Sequence, residues 1–201
     1  MTMPVGDGLA AEQRRLAAAS SIAAVLARHV DDLVQLRRDQ LPEWVQRLSI
    51  PAGWRIAQIE GADVAPSRIA VYGPHPDGRW DGCETISVFR FTGISPDGVV
   101  RDNADCTLRD LDAEDITTST PVASMIPGVT AVRCNGYFTA AGQRVWAQYS
   151  IYVVGSAVLG EGRLIQHSLF IESSCRARLT DGIAQLSNAV QRAFIDSING
   201  R

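Results

Sequence analysis

Polar and apolar residues alternate through Val129–Ile171, and the alternation predicts three consecutive strands. In the first, Val132, Cys134, Gly136, Phe138 and Ala140 share one side, and Ala131, Arg133, Asn135, Tyr137 and Thr139 the other, because successive side chains of a strand point to opposite faces. Ala140-Ala141-Gly142 is a short link with glycine where a positive φ is wanted, which suits a hairpin. The second strand sets Val145, Ala147, Tyr149, Ile151 and Val153 against Arg144, Trp146, Gln148, Ser150 and Tyr152. After a looser loop through Gly155–Gly162, the third sets Ile165, His167, Leu169 and Ile171 against Leu164, Gln166, Ser168, Phe170 and Glu172. Short connections make the three antiparallel neighbours. One apolar inner face is expected, with His167 on it. Trp146, Tyr152, Tyr137 and Phe170 are expected together on the outer face, under a helix or a partner.

Upstream, the period changes. Leu16, Ala19, Ala23, Leu26, Val30 and Leu33 recur at three and four residues, and Leu41, Trp44, Val45 and Leu48 continue that face. This predicts a long N-terminal helix, broken or kinked before Pro42. Ile50-Pro51-Ala52-Gly53-Trp54 marks a boundary, so the chain divides into a helical segment (1–48) and an α+β domain (49–201). Strands are expected from Trp54 to Ile59, Arg68 to Tyr72 and Thr85 to Phe91, with a Pro- and Gly-rich loop between the last two. Ser95-Pro96-Asp97 reads as a helix start, and a polar helix is expected to about Leu111. A Thr-rich edge strand follows within Asp112–Thr120. Leu179, Ile183, Leu186, Val190 and Phe194 then predict a C-terminal helix packed on the sheet by one face.

Composition narrows the function classes. With 201 residues the chain builds one sizeable core, and a net charge of −3 supplies no basic field for nucleic acid. All 19 basic residues are Arg, as GC-rich bacterial coding produces. Cys83, Cys106, Cys134 and Cys175 form no CxxC pair, which argues against zinc and for four separate thiols. Arg14-Arg15 before the apolar Leu16–Ala27 has the length of a signal peptide, but Ser20-Ser21 interrupts it and it is too short to span a membrane. The protein is therefore expected in the cytoplasm, with export as the alternative if Leu16–Ala27 acts as a signal.

Candidate chemistry is sparse. There is no P-loop, GxGxxG, HExxH or GxSxG motif. His167 is the best catalytic candidate, against the blander reading of a buried, hydrogen-bonded histidine. His75, Asp77 and Asp81 lie close enough in sequence to hold a metal, but turn chemistry accounts for the Asp residues, and no metal or cofactor is expected. The acidic run from Asp97 to Asp115 reads as a solvated face. Trp146, Tyr152, Tyr137 and Phe170, with Arg144 and Arg133 nearby, form the candidate binding set.

The order of elements, with two or three strands, an inserted helix, a three-strand meander and a terminal helix, resembles the PsbP-like α/β/α sandwich, shared by actinobacterial proteins of the LpqN type. Ile50-Pro51-Ala52-Gly53-Trp54 looks like that family's entry to its first strand. The resemblance spans about residues 50–199 and implies binding or assembly without catalysis. Its lipoprotein members carry a lipobox cysteine, whereas the first cysteine here is Cys83. Helix-grip and cystatin-like folds remain alternatives. The expectation is a non-enzymatic bacterial protein acting through protein contacts or through self-association by the N-terminal helix. The alternative is a domain that binds or transforms a small apolar molecule between sheet and helix, with His167 and Tyr149 as polar handles.

Overall fold

A computed structural model describes residues 18–57, 66–75, 79–121 and 128–199. Its centre is an antiparallel eight-stranded sheet. The strands are β1 (Asp31–Gln35), β2 (Trp54–Ala57), β3 (Arg68–Pro74), β4 (Trp80–Thr92), β5 (Glu114–Ser119), β6 (Val129–Ala140), β7 (Gln143–Val154) and β8 (Gly162–Glu172). Their order is β2-β3-β4-β8-β7-β6-β5. β4 is 13 residues long, more than its neighbour β3 can cover. β3 therefore pairs with the first half of β4, from Pro74↔Trp80 to Arg68↔Ile86, and β1 takes the same edge further on, at Gln35↔Phe89 and Asp31↔Thr92.

That edge decides what the N-terminal region becomes. The expected long helix is not formed: residues 22–26 make a short helix α1, and 31–35 extend as a strand. Residues 1–17 lie outside the described residues. Ser21 caps α1, its Oγ accepting from the Ala24 amide at 3.2 Å, and Ser20 is tied to Asp110 and Thr107. The helical spacing of Val30 and Leu33 is overridden because β4 offers unpaired backbone groups, and a strand satisfies them on both sides. The Leu36 amide extends this pairing by donating to the Val88 carbonyl at 2.8 Å.

Helices cover both faces. On one lie α2 (Glu43–Arg47) and α5 (Thr180–Asn199); on the other lie α1, α3 (Asp97–Asn103) and α4 (Cys106–Asp110). The single polar helix expected to Leu111 is thus two short ones, parted at Ala104–Asp105. Phe194 of α5 packs on Tyr152 with ring centroids 4.9 Å apart, amid Ile86, Val88, Ile165 and Val190. Leu36, Leu41 and Val45 join this cluster. The opposite core holds Leu26, Phe91, Leu108, Val132, Tyr149 and Ile151. None of the described helices is long and apolar enough to cross a membrane. All four cysteines are unpaired.

Candidate functional site

Register fixes which side chains share the face beneath α5. β6 pairs with β7 at Arg133↔Ser150 and Tyr137↔Trp146, and β7 with β8 at Ser150↔His167 and Tyr152↔Ile165. Arg133, Tyr137, Trp146, Tyr152 and His167 are thus on one face. Tyr149 pairs with Ser168 and Ala147 with Phe170, so these lie on the other. The expected grouping is corrected in two places. Phe170 does not join Trp146, Tyr152 and Tyr137, but packs edge-on against Tyr149 at 5.8 Å, beneath the opposite helices. His167 and Tyr149 face opposite sides of the sheet and cannot serve one cavity. The face carrying His167 and the face carrying the aromatics are the same face.

A row of polar groups crosses this face. His167 is fully buried, and its Nε2 donates to Glu84 Oε1 at 3.1 Å. Glu84 Oε2 stands 3.2 Å from Arg68 Nε, and Arg68 also donates to the carbonyl of Leu48. Further along, Arg133 Nε donates to Ser150 Oγ at 3.0 Å, and Gln148 donates to Ser187 Oγ of α5 at 2.9 Å. The Glu84 end is sealed. No substrate reaches His167, which is fully buried and serves as a hydrogen-bond partner of Glu84.

The other end is open. Over β4, β8 and the Tyr152 end of β7 the sheet–helix interface is solid, filled by Tyr152, Leu169, Ile171, Leu186 and Phe194. Over β6 and the Trp146–Gln148 part of β7 it parts into a groove of about 340 Å³. Its floor is Arg133, Asn135, Trp146 and Gln148; its far wall is Thr180, Ile183, Ala184, Ser187 and Asn188 of α5, with Arg176 at one end. Arg176 lies 4.7 Å over the Trp146 ring, and donates to the Tyr137 hydroxyl at 2.8 Å. Arg144 covers Tyr137 at 4.8 Å, but is held by Glu114 at 2.9 Å. Among the described residues, no carboxylate lies within 4 Å of Arg133 or Arg176. No acidic residue lines the groove. Trp146 is 4% exposed, and its indole N–H has no hydrogen-bond partner among the described residues.

Of the predicted binding residues, Trp146 lines this groove and Tyr137 and Arg144 flank it, while Tyr152 is buried under Phe194. Sequence reasoning missed Arg176, Asn135, Gln148, Ser187 and Asn188. Part of the signal was present: Thr180, Ala184, Ser187 and Gln191 recur on the C-terminal helix at three and four residues, a small and polar stripe beside its apolar one.

A second cluster lies at the β3–β4 hairpin. His75 Nε2 and Arg178 both bond Asp81, at 2.7 and 2.8 Å, and Glu172 is close by. Burial raises the Asp81 pKa, but the hydrogen bonds from His75 and Arg178 outweigh it, and the net shift is downward. Asp77, expected with them, lies outside the described residues. Arg178 occupies the carboxylate that a cation would need, which disfavours a metal here. The thiols of Cys83 and Cys134 are pushed up to about 11 and about 12 by burial, so neither is a ready nucleophile.

No protein family matches the chain by sequence profile, and no curated protein matches it by sequence. In fold it is similar to LpqN of Mycobacterium tuberculosis, whose crystal structure is described as that of a protein involved in cell envelope biogenesis. The TM-score is 0.59 at 17% identity, over 84% of this chain and 95% of that one. The LpqN-like fold is therefore shared, as the resemblance read from the order of elements implied.

Proposed function

We propose that the protein is a non-enzymatic binding protein whose ligand lies in the groove between β6, β7 and α5. The observation that carries this reading is the pairing of Arg133 and Arg176 along one groove, with no carboxylate within 4 Å of either among the described residues. Guanidinium groups left without counter-charges beside an aromatic wall are the usual anchors of recognition surfaces. His167, the one catalytic candidate, is sealed away from the groove, which supports binding over chemistry. The fold shared with LpqN supports a setting in the bacterial cell envelope, and hence export over a cytoplasmic location.

Ala184 lines the groove and is exposed, so Ala184→Trp fills the space without touching the core. A thermal-shift screen of envelope-derived small molecules and short peptides tests the reading. Hits that stabilise the natural protein and lose their effect in Ala184→Trp are expected. Hits that stabilise both equally would place the binding site elsewhere.

A further inference from the structure

We infer that the occupant of this groove is an acidic peptide segment in extended conformation, with two carboxylates spaced to meet Arg133 and Arg176 together. This deepens the proposed function and rests on that reading of the groove.

The geometry is linear rather than convergent. Arg133 and Tyr137 are four residues apart on β6, about 13 Å at 3.3 Å per strand residue. Arg133 is held at its end by Ser150 and by Gln191 of α5, with a contact of 3.4 Å to the latter. Arg176 is held at the other end by the hydroxyl of Tyr137. A phosphate site gathers its cations and backbone amides about one point. Here the two cations stand at opposite ends.

What lies between them is suited to a peptide backbone. Asn135 and Asn188 each carry both a donor and an acceptor, while the Gln148 amide N–H groups, engaged by Ser150 and Ser187, fix the floor between them. A bare anion has no use for acceptors. A peptide has an N–H and a C=O at every residue and uses both. Ile183 and Ala184 supply a small apolar contact for a side chain between the two acidic residues. In an extended chain, residues i and i+4 point to the same side and lie about 13 Å apart, the same spacing along the strand as Arg133 and the Tyr137 whose hydroxyl holds Arg176.

The charge requirement is as specific as the spacing. Neither guanidinium has an intramolecular carboxylate within 4 Å among the described residues, whereas Arg68, Arg144 and Arg178 each do. An acidic ligand therefore gains two ion pairs without breaking any. Both are partly exposed, so binding is expected to weaken as ionic strength rises.

The experiment is isothermal titration of the full chain with Ac-Glu-Thr-Ala-Thr-Glu-NH₂. Four comparisons accompany it: the double Gln peptide, a peptide with adjacent glutamates, inorganic phosphate, and the variants Arg133→Gln and Arg176→Gln. The spaced diacid is expected to bind. Each Arg variant should weaken it about fivefold, the scale of a partly exposed ion pair, and the Gln peptide and the adjacent pair should bind more weakly still. The peptide changes leave the protein untouched, so the result does not depend on the variants folding. Equal binding of the Gln peptide overturns the inference, and so does phosphate binding more tightly than the diacid. If no acidic peptide binds while other ligands are lost in Ala184→Trp, the groove reading stands and the inference about its occupant falls. If Ala184→Trp alters no binder, both fall.

Discussion

At the scale of single residues, the buried polar row sets the stakes. Glu84 is 1% exposed and answers both Arg68 and His167. Its removal leaves Arg68 as an uncompensated charge in a dry interior. Glu84→Gln is therefore expected to cost about 3–5 kcal/mol, read as a lowered midpoint in urea. Arg68→Met in that background should recover part of the loss, since it removes the stranded charge. Asp81, also largely buried, makes a pH-dependent contribution near the β3–β4 hairpin. Its carboxyl titrates below the ordinary 3.8 in the folded protein, because His75 and Arg178 hold the ionised form against the pull of burial. A depressed folded value means that the stabilisation is present above the unfolded pKa and lost as pH falls through the folded one. Asp81→Asn should accordingly melt lower than the natural protein at pH 5. The margin should shrink once the pH drops below 3.8, as thermal denaturation at pH 7, 5 and 3 would record.

At the scale of elements, the β6–β7 hairpin shows what a short link demands. Ala141 and Gly142 both have positive φ, at 49° and 76°. That is the sign pattern of a type I′ turn, whose twist matches that of the strands it joins. Glycine at 142 was a legible signal; alanine at 141 is a strained choice, because its Cβ disfavours the left-handed region. Ala141→Asn is expected to stabilise the fold by about 0.5–1 kcal/mol, visible as a raised melting temperature with an unchanged circular dichroism spectrum. The strands themselves were legible for a related reason. Period-two alternation is a property of each strand alone, and each of the three segments within Val129–Ile171 carries it. The Thr-rich edge strand and the C-terminal helix were equally plain. The helix expected through Val30 and Leu33 was not plain. Its spacing fits a helix, and only the free half of the β4 edge makes Asp31–Gln35 a strand.

At the scale of the whole molecule, the N-terminal region contributes to the core instead of standing apart as a surplus helix. Ile22 and Leu26 are buried against one face of the sheet, Leu36, Leu41 and Val45 against the other. A chain beginning at residue 49 loses all five and bares half of the β4 edge. It is expected to lose cooperative thermal unfolding and to aggregate, measured by circular dichroism melting and light scattering. Among the described residues, the long N-terminal helix expected to carry self-association is replaced by a short helix and a strand.

The sequence by itself determined the kind of fold, the strands of the meander, the apolar face of the last helix and the short list of aromatic and Arg residues from which a site is drawn. These depend on periods and turn chemistry that act within a few residues. The tertiary structure alone decided which faces meet. A shift of one residue in pairing moves a whole strand's side chains to the other face, and no pattern within β8 says whether His167 or Phe170 joins Trp146. Pairing of Ser150 with His167 settled it, placing Phe170 with Tyr149 and the histidine beneath α5. The groove is a consequence of the same kind. It lies where α5 faces β6 and the adjoining part of β7, and among the described residues Arg133 and Arg176 have no carboxylate within 4 Å there, a matter of helix placement that no local pattern records.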